Sequence, residues 1–223
     1  MKHASILKNA SRLGWCASGL LILILITFTI IRTLDLTTGT RPDNLFEARY
    51  FDFPVVTFVH MFTGLAFLVF APLNFSQKFR SRYLPLHRLI GRILLACALV
   101  AGVLGILSAL VLPVFGGVAS ETASWFFGLL FLFAISRAYW CARSRQIVLH
   151  REWIIRSFAL ALGVGTQRLV LVICQLTGYA TFEETFGPAL WLGFTINMVI
   201  AEAWINLTRH KSTTTIGRHH DRS

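Results

Sequence analysis

Polar side chains that could do chemistry stand within long apolar stretches of this sequence. His60 lies in one apolar run, Gln167 and Arg168 are adjacent in another, and Asn197 lies in a third. Imidazole exchanges protons near neutral pH, and guanidinium grips carbonyl, carboxylate or phosphate oxygens through a planar fork of donors. These types predict a polar binding site in apolar surroundings, with Asn197 as one candidate to hold Arg168. A purely structural contact between two helices is the alternative.

A second polar set stands elsewhere in the same apolar sequence. It comprises His87, His150, Arg156 and Glu202. Either histidine could act as a general acid or base. A lone buried carboxylate is costly, so Glu202 is predicted to pair with Arg156 or Arg137 first and with His87 next. The alternative is that the cations only reach from the helix ends to the membrane surface.

The elements that must position these side chains follow from the composition. Of 223 residues, 55% are hydrophobic and only 14% are charged, against about 25% charged in ordinary soluble domains. This excludes a disordered chain, a disulfide scaffold and an ordinary soluble enzyme. What remains is a protein with several membrane spans.

Six apolar stretches are long enough to cross a bilayer, which takes about 20 residues of helix. They are residues 14–31, 53–75, 87–112, 122–141, 153–176 and 188–205. The runs are continuous rather than alternating, which excludes a barrel, and hydrocarbon leaves helix as the only other way to satisfy the backbone. The sequence therefore predicts an all-α, six-helix transmembrane bundle over 14–207. Residues 1–13 are expected to be a cytoplasmic segment and 208–223 a basic, disordered cytoplasmic tail.

Positive charge alternates along the connections between these stretches. Lys and Arg gather before the first span, between the second and third, between the fourth and fifth, and in the tail. By the positive-inside rule both termini are cytoplasmic, and a bacterial inner membrane is the expected location. This topology also explains the net charge of +11 without a nucleic-acid partner.

The cysteines do not indicate a metal site. Cys16, Cys97, Cys141 and Cys174 fall in four different spans without paired spacing, so packing is their expected role and no metal site is predicted.

Small residues at a spacing of four mark helix interfaces, and they predict that the third and fifth spans form the centre of the bundle.

Several short motifs resemble a known family. They are Ala71-Pro72-Leu73-Asn74-Phe75, Leu86-His87-Arg88-Leu89-Ile90-Gly91-Arg92, and His150-Arg151-Glu152-Trp153-Ile154-Ile155-Arg156. With His60, Arg168 and the segment Ala201-Glu202-Ala203-Trp204, they resemble the prokaryotic membrane family catalogued as domain of unknown function 2306, over roughly 60–204. The chain departs from that pattern at Ala71, Asn74 and Ile154, where Gly, Gln and Met are usual. The resemblance implies a membrane protein and no particular activity.

Several functions fit these observations. The favoured one is a site, or an enzyme, for a lipid-like or quinone-like molecule, because Arg and His suit an oxygen-bearing head and apolar walls suit a tail. His60 and Arg168 both lie about two turns from the same membrane face, so they are predicted to line one cavity between the second and fifth spans. A haem b redox protein is one alternative, since histidine pairs hold such haems. A small transporter or a structural membrane protein is the other.

Overall fold

Helices account for almost all of the described chain. A computed structural model gives the backbone of residues 2–111, 115–178 and 180–220, and the side chains of 5–44, 46–110, 115–178 and 180–209. The helices are α1 (Lys2–Thr38), α2 (Leu45–Asp52), α3 (Pro54–Phe75), α4 (Gln77–Arg82), α5 (Leu84–Val111), α6 (Gly117–Arg143), α7 (Ile147–Thr177) and α8 (Phe182–His220). No strand occurs within these ranges.

Six of these helices are long and apolar enough to cross a membrane, as the sequence predicts. Their candidate spans are Ser5–Thr38, Pro54–Phe75, Leu84–Leu110, Gly117–Arg143, Ile147–Thr177 and Phe182–Arg209. Most run several residues beyond the predicted apolar stretches, because a helix does not stop where the hydrocarbon ends unless Gly or Pro stops it. Residue 112, the predicted end of the third span, lies outside the described residues.

The last helix also departs from the expected disordered tail. The backbone of α8 is helical to His220, and residues 221–223 lie outside the described chain. This extension could not be predicted from the sequence, because its polar residues show no helical spacing of apolar side chains. A helix that continues an existing span does not pay the nucleation cost that keeps isolated polar segments unfolded.

Two short helices lie at opposite ends of the bundle. Asn44 caps α2, and its side chain accepts a hydrogen bond from the Phe46 backbone N–H at 2.8 Å. Ser76 caps α4 in the same way toward Phe79, at 3.3 Å. We call the two ends of the bundle the α2 end and the α4 end.

An aromatic cluster lies at the α2 end. The Phe46 ring of α2 lies 4.1 Å from the ring of Phe115 and 5.5 Å from that of Phe186, centroid to centroid. Phe182 joins the same cluster. These contacts bring α2, the α5–α6 connection and the beginning of α8 together.

Helix α7 is the centre of the bundle, and α1 is peripheral. Half of the most apolar window of α7 is buried, against none of that of α1. The prediction of a central fifth span is thus confirmed, whereas only about a fifth of the α5 window is buried, so the third span is not central. Helix α5 packs mainly against its sequence neighbours α3 and α6, which leaves its remaining side exposed.

Glycine allows α7 and α8 to approach each other closely. Gly193 of α8 lies against the α7 backbone, where an added Cβ would be 2.5 Å from the Gly163 carbonyl oxygen and 2.7 Å from the Gln167 nitrogen. No side chain fits at such a distance. The contact therefore fixes α8 against the α7 turn that carries Gln167 and Arg168.

Candidate functional site

A cavity of about 860 Å³ lies inside the bundle toward the α2 end. All six spans and α2 contribute to its walls, which are mostly apolar. Of the predicted site residues, His60, Gln167 and Arg168 line it. A cavity of this size can hold a small organic molecule.

His60 joins α3 to α5 on one side of this cavity. Its Nδ1 lies 2.9 Å from the carbonyl oxygen of Ala101. Its ring sits over Gly105, where an added Cβ would be 3.1 Å from the ring carbon Cε1. The structural contact expected for this histidine thus runs to the third span and not to the fifth.

Gln167 faces the cavity from α7 and is almost completely buried, with 1% of its surface exposed. Its Nε2 has no hydrogen-bond partner among the described residues. Buried amide groups are nearly always paired, by protein or by a bound molecule. The Gln167 amide is therefore a buried, unpaired donor in the cavity wall.

Arg168 is the next residue along the same wall. Its guanidinium carbon lies 5.3 Å from the centre of the Phe28 ring of α1, a cation–π distance. The described residues give its guanidinium no hydrogen bond and no ion pair. Its donors are therefore available to a bound molecule.

Asn197 does not take part in this arrangement. Its Nδ2 donates to Thr166 Oγ1 at 2.6 Å and to the Gly193 carbonyl oxygen at 2.7 Å. It does not line the cavity, so the suggestion that it holds Arg168 is wrong. Its depth along α8 is suitable, but its side chain turns toward the α7–α8 contact.

Helix α2 forms a charged rim that the sequence did not reveal. Arg32 of α1 pairs with Glu47 of α2, and its guanidinium also lies 4.3 Å from the centre of the Tyr50 ring. Arg49 donates a hydrogen bond to Tyr50 Oη at 2.8 Å. In the sequence, the α2 segment has the mixed charge that is typical of a loop, and only the capping residue Asn44 indicates a helix.

A further ion pair lies outside the spans, where α2 ends. Arg41 donates to both Asp52 carboxylate oxygens, at 2.7 and 2.9 Å. This hydrogen bonding lowers the pKa of Asp52. The stabilisation is therefore present above the ordinary pKa of an aspartate and is lost as the pH falls through the lowered value. Both groups are well exposed, so the contribution is small.

The predicted partner of Glu202 is confirmed at the α4 end. Arg156 of α7 grips the Glu202 carboxylate of α8 with two donors, Nε at 2.5 Å and Nη2 at 3.0 Å. The Arg156 guanidinium also lies 4.6 Å from the centre of the Trp153 ring. The bidentate geometry is typical of strong charge-assisted pairs.

Glu152 is a buried acid that the sequence reading missed. It is 2% exposed and accepts hydrogen bonds from Arg209, at 2.8 Å for Nε. Its carboxylate also lies 3.9 Å from Arg156. The predicted fifth span began one residue later, at Trp153, so Glu152 lay outside the predicted spans. Its position in the HREW motif was the available signal.

The two α4-end histidines lie near each other without lining the cavity. His150 Nδ1 lies 2.8 Å from the carbonyl oxygen of Ala138, and His87 Nδ1 is buried without a partner among the described residues. Asn74 donates to the His87 carbonyl at 3.3 Å and packs on Gly91, so two of the sequence motifs meet here.

The haem alternative requires two histidines that face one another, and among the described residues the cavity does not supply such a pair. His60 is the only histidine that lines it within the described chain. Nor do three or more His, Cys, Asp or Glu side chains converge on a metal site in those residues.

Comparison with known proteins agrees with the fold. A family model described as "Predicted membrane protein (DUF2306)" matches residues 57–205. The matched region includes His60, Gln167 and Arg168 but not α1 or α2. No curated protein and no solved structure matches the chain.

Proposed function

The chain belongs to the DUF2306 family of predicted membrane proteins, and we propose that its central cavity binds an apolar small molecule with an oxygen-bearing head. The molecule is lipid-like or quinone-like. The observation that carries this proposal is the pair of unmatched donors on α7. Gln167 Nε2 and the Arg168 guanidinium are adjacent, and neither has an acceptor among the described residues.

The rest of the cavity supports an apolar tail. Its walls include Leu25, Leu65, Leu68, Ile106 and Val164. Burying such a tail is favoured by roughly 25 cal/mol per Å² of apolar surface where water is displaced. The donors then orient the head, as polar groups do in most small-molecule sites.

Replacing Arg168 with Lys is expected to weaken binding without unfolding the protein. Lysine keeps the positive charge but loses the planar fork, so the dissociation constant should rise at least about tenfold. Binding of decylubiquinone and of oleate to the purified protein in nanodiscs measures this. Arg88→Lys, at an exposed α4-end residue, is the matched control and should leave both constants unchanged.

A second variant separates binding from folding. Gln167→Met removes an unpaired buried amide, so thermal stability should hold or rise while binding falls. A merely structural glutamine would give the opposite pattern. Failure of both probes to bind, or unchanged constants in both variants, contradicts the proposal.

We also propose that the α4 end faces the cytoplasm, with both termini there, in a bacterial inner membrane. At the α2 end, the connections and the helix ends that flank them carry only Arg32, Arg41 and Arg49 of the 21 Lys and Arg residues, and acids accompany them. A reporter active only in the periplasm should stay silent when fused after His210. Fused after Gly116, at the α2 end, it should be active, and the reverse result overturns the topology.

A further inference from the structure

Hydrogen-bond roles differ between the two sides of the cavity. The α7 wall offers donors from Arg168 and Gln167. The α3 wall offers His60, of which one ring nitrogen is already committed to Ala101. The head of a bound molecule must satisfy both sides.

The tautomer of His60 follows from its partner. A backbone carbonyl can only accept, so Nδ1 must carry the proton that it donates to Ala101. In the neutral ring Nε2 then carries a lone pair and can only accept a hydrogen bond. No described residue donates to it. The Nδ1–Cε1 edge is packed over Gly105, which leaves Nε2 as the nitrogen open to a ligand.

A head that fits must therefore donate as well as accept. Carboxylates, phosphodiesters and quinones offer acceptors alone, which suits Arg168 and Gln167 but leaves His60 unmatched. A hydroquinone carries a hydroxyl at each end of its ring, so one end can donate to His60 while the other accepts from α7. A glyceride hydroxyl also donates, but it has no ring.

The cavity walls favour a planar ring. Aromatic side chains line it from several helices, among them Phe28, Phe67, Phe127 and Phe131. Aromatic rings pack favourably against one another in offset or edge-to-face arrangements. Resting on the proposed function, we infer that this site recognises the hydroquinone head of a quinol in preference to the corresponding quinone.

Three probes on the wild-type protein test this inference. They are decylubiquinol kept anaerobic, decylubiquinone, and the dimethyl ether of decylubiquinol, which keeps the oxygens but has no O–H to donate. The quinol should bind about tenfold more tightly than the other two, the effect of one hydrogen bond. His60→Phe, which keeps a ring of similar shape without an acceptor, should abolish that preference.

The outcomes separate this inference from the proposed function. Equal affinity for quinol and quinone overturns the hydroquinone assignment but leaves a binding cavity in place. Tighter binding of 1-monoolein than of the quinol also overturns it, in favour of a glyceride head. Because the readout is a ratio of affinities in folded protein, a loss of stability in His60→Phe does not mimic the effect. If that variant fails to fold, the dimethyl ether alone decides.

Discussion

A single methyl group at position 193 is expected to destabilise the bundle more than any other alanine substitution at its glycines. The Cβ of Gly193→Ala would lie 2.5 Å from the Gly163 carbonyl oxygen and 2.7 Å from the Gln167 nitrogen. Both neighbours are backbone atoms, so no side chain can rotate away and the two helices must separate. Overpacking of this kind costs about 3 kcal/mol. At 2–4 °C per kcal/mol for a chain of this size, the melting temperature should fall by roughly 6–12 °C.

Gly19→Ala in α1 is the matched control. No heavy atom lies within 4 Å of its added Cβ, so the melting temperature should stay the same or rise slightly, as alanine favours helix. Both variants are compared at one heating rate, because membrane bundles often unfold irreversibly. Equal melting temperatures would show that the α7–α8 contact is looser than its geometry indicates.

The same substitution should also disturb the cavity. Gly193 packs on the Gln167 Cα, and its carbonyl oxygen accepts the hydrogen bond of Asn197. Pushing α8 away therefore moves the α7 turn that carries the two donors. Binding of decylubiquinone should weaken in Gly193→Ala even at temperatures where the variant is folded, and Gly19→Ala should bind normally.

Counting along the chain was sufficient to predict that His60 and Arg168 line the same cavity. Their similar depth follows from the helical rise, and apolar runs locate helix ends within a few residues. The direction in which a side chain points around the helix axis could not be predicted in this way. Asn197 has a suitable depth but turns to Thr166 and Gly193, because the α8 contact face is set by glycine packing with α7.

Pairs between distant residues were harder to predict than depth. The Arg156–Glu202 pair could be predicted, since few acids occur in the spans and cations stood near the same end. Glu152 and Arg209 are 57 residues apart, and nothing local identifies one as the partner of the other. Helix α2 was missed because a helix of eight residues with mixed charge has no apolar period to detect.

Removing the Arg156 side chain is expected to cost more stability than removing its partner Glu202. Arg156 is 15% exposed and lies between two acids, Glu202 at 2.5 Å and Glu152 at 3.9 Å. Arg156→Gln leaves both carboxylates without this cation, and Glu152 is too buried to gain hydration. A fully buried pair would cost about 3–5 kcal/mol, but Glu202 is 41% exposed and Arg209 remains beside the buried Glu152, so we expect a loss of about 2 kcal/mol.

Glu202→Gln should cost only about 1 kcal/mol, because Arg156 keeps Glu152 and the Trp153 ring. The double variant, with glutamine at both positions, should be more stable than the sum of the two losses predicts, since no Glu202 charge remains to be stranded. Melting temperatures of the three variants measure this coupling. Equal losses in the two single variants would show that Glu152 is satisfied by Arg209 alone.

Binding in the folded variants then separates the α4-end network from the cavity. Arg156 lies eleven residues before Gln167 on α7, about 16 Å along the helix axis. The ion pairs at this end join α7 to α8, and they touch no cavity-lining donor. Arg156→Gln should therefore lower the melting temperature and leave the decylubiquinone dissociation constant unchanged below it. Weaker binding of decylubiquinone by the fully folded Arg156→Gln variant would mean that the ion pair also sets the position in which α7 presents Gln167 and Arg168.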